Sequence, residues 1–146
     1  MTPVDESAAQ YNAAIVREFR ANGGRVGGVW DGIPLLVLHH AGARTGEHRV
    51  TPVGYLRHDD RYVVFASNGG APRHPDWYHN LKAHPTTQIE IDGDTLDVIA
   101  EEATGAERNL LFGLGTARFE SLAAHARRSA RTFPVMVLTP IRGPAR

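Results

Sequence analysis

Gly42-Ala43-Arg44-Thr45-Gly46-Glu47-His48-Arg49-Val50-Thr51-Pro52 lies between an apolar run over residues 33–38 and an alternating run that continues to residue 57. A turn and its exit, joining two strands, satisfy that pattern. Gly42 and Gly46 leave backbone N–H groups open to close approach, Arg44 and Arg49 carry permanent positive charge, and Thr45 adds a hydroxyl donor. These are the groups that hold an anion. A solvated hairpin with two surface arginines fits the same residues equally well, so the rest of the chain decides.

Working outward, strands are expected over 34–39, 49–57 and 61–67, the last two joined by the polar turn His58-Asp59-Asp60. Connections this short make neighbours antiparallel, because parallel pairing needs a crossover of a dozen or more residues. Pro52 lacks an N–H, which puts it at an edge, a bulge or a place left open to a ligand. Upstream, Tyr11, Ile15, Val16 and Phe19 recur at helical spacing over 8–22, and Asn22-Gly23-Gly24 stops the helix. Such a basic amphipathic helix can touch a membrane surface, although packing on its own domain is the commoner fate. The passage 24–32 has no strand before its glycines and no helix after them at dinucleotide-binding spacing, and reads as an irregular cover.

Downstream, 68–75 is irregular and 76–83 is a short helix, opened by Pro75 or Asp76 and closed by Pro85. Asp92-Gly93 joins two further strands, 87–91 and 95–100. Thr104 and Glu107 have capping-box spacing and open a helix carrying Leu110, Leu111 and Leu114. Gly113 and Gly115 predict a kink or break before a second segment over 117–128. Residues 133–139 form a last strand. The sum is mainly β with α (α+β): a small, partly closed barrel of about six antiparallel strands, with helices outside and over one mouth. Residues 1–146 make one domain, with the helix and cover over 1–32 and the barrel over 33–140. The Arg-Gly-Pro-Ala-Arg tail is expected to fray.

Composition narrows the function. The 16 basic residues balance 16 acidic ones, which argues against a general nucleic-acid binder. Charge is nevertheless uneven: every charged residue from Glu90 to Glu107 is acidic, whereas Arg44, Arg49, Arg57, Arg61 and Arg73 come earlier, so a neutral total can hide a positive pocket. There is no cysteine, which removes thiolate chemistry and disulfides. No leader and no apolar run of about 18 residues is seen, and a cytoplasmic location, with or without membrane association, is the expectation.

Eight histidines raise a metal site, but His74, His79 and His84 are five apart rather than at the spacing of a zinc helix, and His39 and His40 point to opposite faces of a strand. No metal is expected. Ser67 lies outside any nucleophile-elbow motif, so Ser67 and the glycines after Asn68 read better as a cradle that a planar ring can approach closely. Trp77 and Tyr78, usual core residues, follow that loop in the company of Arg73, His74, His79 and Asn80. An aromatic and polar wall beside an anion-holding turn suits a large planar, negatively charged cofactor.

The run ASNGGAPRHPDWYHNLKAHP (66–85), preceded by GARTGEHRVTP and followed by EATGAER and RTFPVMVLTP, resembles the deazaflavin-dependent nitroreductase family, split β-barrel reductases that use coenzyme F420. The similarity covers about 34–140. It implies hydride transfer from the reduced cofactor, F420H2, to electron-poor acceptors such as nitroaromatics, quinones or unsaturated lactones. By the same resemblance, Ala43, Arg44, Thr45, Gly46 and Arg49 hold the cofactor's phosphate and acidic tail. Val50, Thr51, Pro52, Val53 and Gly54 border the deazaflavin ring, with Phe65, Ala66, Ser67 and Asn68 on the neighbouring strand end. Asp76, Trp77, Tyr78, His79 and Asn80 are the helix start near the cofactor.

Two departures matter. Ala43-Arg44 stands where the family usually has a basic pair, and Asn68 where it often has lysine. Phe119, Leu122 and His125 stand at substrate-pocket positions that are tyrosines in the nitroimidazole-activating member, so nitroimidazole activation is not expected. Ser67 and His125 are the candidates for relaying a proton. The partners expected are a small-molecule acceptor, no nucleic acid, and a membrane surface touched through the N-terminal helix, for a monomer or a homodimer. The alternatives are a non-catalytic carrier of F420, flavin or a lipid-like ligand, and use of FMN in place of F420.

Overall fold

A computed structural model describes residues 3–141, with side chains described from residue 9 onward; the C-terminal tail expected to fray lies outside the described residues. The chain runs α1 (Pro3–Ala21), a 3₁₀ turn (Gly28–Trp30), β1 (Leu35–Ala41), β2 (His48–Gly54), β3 (Leu56–His58), β4 (Arg61–Phe65), a second 3₁₀ turn (Asn68–Gly70), and α2 (Asp76–Ala83). It continues through β5 (Thr86–Ile91), β6 (Asp94–Glu102), α3 (Gly105–Arg118), α4 (Glu120–Arg128) and β7 (Val135–Pro140).

All sheet pairings are antiparallel, in the order β2-β1-β5-β6-β7-β4-β3. The two ends of that order, β2 and β3, are separated in sequence by Tyr55 alone. One residue spans at most about 3.6 Å, so the sheet must curl until its edges nearly meet. The strand expected over 49–57 is therefore two strands. At Tyr55 the chain leaves β1 and joins β4, with its N–H on the Pro34 carbonyl at 3.0 Å. This break turns the expected six strands into seven.

Period-two alternation sorts the side chains. Leu36, Leu38, Tyr62, Val64, Ile89, Ile91, Val98, Ala100, Met136 and Leu138 fill the barrel interior, where Trp77 and Leu81 of α2 join them from one mouth. On the outer face Leu35 and Val37 meet Ile15, Val16 and Phe19 of α1. Val63, Phe65, Val135 and Val137 meet Leu111 of α3, Leu122 of α4 and Phe133. Covering both faces explains why β1 and β7 each open with four buried residues in a row. It also packs Ile15, Val16 and Phe19, three of the four apolar residues read on that helix face, against the barrel. Among the described residues no helix is long and apolar enough to cross one.

Asp92 and Gly93 both take positive φ, 49° and 84°, making the two-residue hairpin expected from sequence. The late helix breaks at Phe119, four residues beyond Gly115. Gly115 is a packing position instead: a Cβ there would come within 2.8 and 2.9 Å of two Phe65 ring carbons. Thr104 caps α3 in an extended conformation without a side-chain bond, and Glu107 pairs with Arg61 at 3.5 Å. Gly115→Ala separates the two readings of this glycine. Helix propensity alone predicts a gain of about 1 kcal/mol. Overpacking against Phe65 predicts a loss of about 1–3 kcal/mol, and we expect the loss, measured by urea unfolding.

Candidate functional site

The main cleft, about 320 Å³, is lined by residues from four separate stretches of the chain: Trp30 and Ile33 from the cover and its exit, Pro52, Val53 and Gly54 from the end of β2, and Phe65 at the end of β4. Ser67, Asn68 and Gly69 add the loop, Pro75 and Trp77 the start of α2, and Phe119, Ser121, Leu122 and His125 the last helix. Pro52 lies on an edge strand, as its missing donor requires. Phe119, Leu122 and His125 are three apart, which puts them on one helical face over about 9 Å. At the far end of that face His125 packs on the loop, because a Cβ on Gly70 would touch the His125 Cβ at 3.4 Å. Gly69 and Gly70 both take positive φ, 64° and 85°, which keeps the loop tight and low.

Thus Pro52, Val53, Gly54, Phe65, Ser67, Asn68, Trp77, Phe119, Leu122 and His125, all singled out from sequence, meet at one cleft. Other selected residues lie around it. Ala43, Arg44, Thr45 and Gly46 are exposed on the β1–β2 turn, and Arg49 is exposed at the start of β2. Thr45 accepts the Glu47 N–H at 3.1 Å. Arg49 is loosely paired, 3.8 Å from Asp76 at the start of α2 and 4.0 Å from Glu47. Val50 packs in the α1 cluster. Ala66 is fully buried, Tyr78 donates to Glu102 at 2.8 Å, and His79 is exposed. Burial, reinforced by the Glu102 carboxylate, pushes the Tyr78 phenol up to about 12.

The turn is held to the barrel by the two buried polar side chains of the described residues, His40 and Asn80. Asn80 Oδ1 accepts the Ala43 N–H at 2.8 Å, so its amide nitrogen faces His40 Nδ1 at 2.9 Å. An amide nitrogen only donates, which makes Nδ1 the acceptor and leaves the imidazole proton on Nε2, 2.9 Å from the Thr51 hydroxyl. Burial, and then the charge of Arg49, hold the His40 pKa down at about 4. One chain of hydrogen bonds thus couples the exposed turn, the α2 helix and the strand that leads to Pro52.

Sequence reasoning gave no role to Arg131, although it begins the quoted Arg-Thr-Phe-Pro motif. Its guanidinium donates to the carbonyls of Ala71 (2.9 Å), Ala66 (3.1 Å) and Ser67 (2.8 Å), and to His74 Nδ1 (2.9 Å), while lying 4.7 Å over the Phe133 ring. The 66–74 loop is fastened by this one side chain. Burial, aided by the Arg131 charge, lowers the His74 pKa, which keeps His74 an acceptor. Trp30, Ile33, Pro75 and Ser121 were also not selected as site residues, whereas Gly69 belongs to the glycine cradle expected after Asn68. Of those four, Trp30 alone carried a signal, as a lone tryptophan within a glycine-rich cover.

No three histidine or carboxylate side chains among the described residues are grouped to hold a metal ion. His39 faces away from His40 and bonds Glu90 (2.7 Å) and His48 (2.8 Å) on the outer surface.

Comparison with known proteins places the chain among related sequences and folds. An F420H2-dependent quinone reductase of Mycobacterium tuberculosis is 35% identical over 125 residues, covering 83% of this chain and 84% of the relative. The solved structure of an F420-H2 dependent reductase, FDR-A, superposes with a TM-score of 0.66 at 31% identity, over 72% of this chain and 93% of that one. A second, described as a domain-swapped dimer, gives 0.67 at 28% identity over 94% and 99%. The sequence model of the F420H(2)-dependent quinone reductase family matches residues 12–140, and the chain belongs to that family.

Proposed function

We propose that the protein is an F420H2-dependent reductase whose acceptors are quinones, with nitroaromatics and unsaturated lactones as further electron-poor candidates. The observation that carries this reading is the division between a largely apolar cleft and an exposed cationic turn, joined by the His40–Asn80 chain. A volume of about 320 Å³ is at the small end of ligand pockets, enough for a ring system but not for a long anionic tail. The tail's natural place is outside, along Arg44 and Arg49, which are both exposed, Arg49 being only loosely paired. The residues present therefore fit the cofactor.

When bound, reduced deazaflavin supplies the hydride. The chain's own residues orient and exclude water. Pro52 and Gly54 offer the ring a strand end with little side-chain bulk, and the glycine turn after Ser67 lets backbone approach it. Phe119, Leu122 and Phe65 keep water from the acceptor. The Ser67 hydroxyl makes no hydrogen bond among the described residues, and with His125, which packs on the same loop, it is our candidate to pass a proton to the reduced acceptor. A carrier would bind F420 and turn over nothing, so steady-state oxidation of F420H2 by menadione separates the two readings. Arg49→Ala should weaken F420 binding by about 1.5–3 kcal/mol, and an unchanged dissociation constant in fluorescence titration would remove Arg49 from the tail site.

A further inference from the structure

We infer that Trp30, oriented by Tyr11, is a specificity-determining wall that selects bicyclic over monocyclic quinone acceptors; this rests on the reading above. The cleft has two unlike ends. Ser67, Asn68, Gly69 and His125 make one end polar. The other is aromatic and aliphatic: Arg118 donates to the Gly32 carbonyl at 3.1 Å, tying the cover to the α3–α4 break, so Trp30 and Ile33 share that end with Phe119. Ile33 in turn reaches Gly54, its Cγ2 lying 3.6 Å from where a Gly54 Cβ would be.

The cover that carries Trp30 is a single 3₁₀ turn, with Gly24, Gly28 and Gly32 all at positive φ and backbone bonds from Trp30 to Gly27, Asp31 to Gly28 and Ile33 to Trp30. It is also fixed from outside. Gly24 donates to the Phe19 carbonyl at 2.8 Å, Gly27 donates to the Glu18 carboxylate at 2.7 Å, and Val26 is buried in the α1 cluster. Between these tethers and Gly32, the Trp30 indole N–H donates to the Tyr11 hydroxyl at 2.9 Å. An indole has a single N–H, so this bond fixes the direction of its N–H edge, while the ring packs against the α1 cluster and lines the cleft. Val29, beside it, is 79% exposed. Trp30 is thus the one large ring that the cover contributes to the cleft. A fused second ring on the acceptor gains a flat partner there, whereas a single-ring quinone held at the polar end does not reach it.

The test compares menadione with a monocyclic benzoquinone in wild type, Trp30→Ala, Trp30→Phe and Tyr11→Phe, each first checked for an unchanged melting profile. Trp30→Ala should raise the KM for menadione about tenfold and that for benzoquinone no more than about twofold, with the F420 dissociation constant unchanged. Trp30→Phe should restore most of the difference, and Tyr11→Phe should give a smaller rise, about threefold, in the menadione KM. Equal KM changes for both quinones, or a loss of F420 affinity in Trp30→Ala, would overturn the assignment. Failure of wild type to oxidise F420H2 would instead overturn the proposed function. In that event saturable quenching of Trp30 fluorescence by menadione, read in Trp77→Phe, still decides the contact: its presence supports the wall, and its absence refutes it.

Discussion

Arg131→Ala is expected to destabilise the protein by about 4 kcal/mol and to lower its melting temperature by roughly 10 °C. The guanidinium serves three carbonyls and one imidazole nitrogen, and bonds to a charged donor contribute about 1.5–3 kcal/mol each, less than additively. The Ala66 carbonyl belongs to a fully buried residue, so removing its donor leaves an acceptor that water cannot reach. Arg131→Lys should recover little, because one ammonium cannot span carbonyls arranged for a planar fork. Function should fall with stability, since Ser67 and Asn68 line the cleft on this loop. We expect kcat/KM for menadione to drop more than tenfold in Arg131→Lys at a temperature where it is folded. A variant as stable and as active as wild type would show that the loop holds itself.

The second large effect is on acid stability. His40 has a folded-state pKa of about 4 against about 6.5 when unfolded. The unfolded chain therefore takes up a proton first, and stability that is complete above pH 6.5 is lost as the pH falls toward 4, by about 3 kcal/mol in total. Geometry says how. A proton on Nδ1 would face the Asn80 amide nitrogen, donor against donor. Relief by flipping the amide would take the Oδ1 acceptor from the Ala43 N–H. F420 affinity should accordingly weaken over the same pH range as the turn loosens. His40→Gln keeps an acceptor and a donor but does not titrate, and it should flatten the acid limb of urea-unfolding free energy against pH. An acid limb of unchanged depth would place the titration elsewhere.

Much of the fold was legible because its signals are local. Asp92-Gly93 fixes a hairpin, residues 76–83 carry their own helix start and stop, and the strand expected over 61–67 appears as β4, two residues shorter. The break at Tyr55 was not legible. Gly54 stands just before it and Pro52 shortly earlier, but in an alternating run these equally mark an edge or a bulge, and the need to close the sheet is what divides it. Gly115 misled because a helix glycine reads as weakness unless the ring packed over it is known. In the site, residues that line the cleft by backbone position, such as Pro52 and Ser67, followed from strand ends. Arg131 and the pairing of His40 with Asn80 act over separations of 40 residues or more, which no local pattern encodes.

The central claim, that a cleft beside a cationic turn brings reduced F420 against a quinone, is tested most directly by an anaerobic single-turnover experiment. Equal amounts of protein and F420H2 are mixed with menadione in a stopped-flow spectrometer. The account predicts return of the oxidised deazaflavin absorbance in step with menadiol formation, far faster than without protein, and slower in Arg49→Ala at subsaturating cofactor. Binding of F420H2 with no acceleration of its oxidation, or no binding at all, would contradict it.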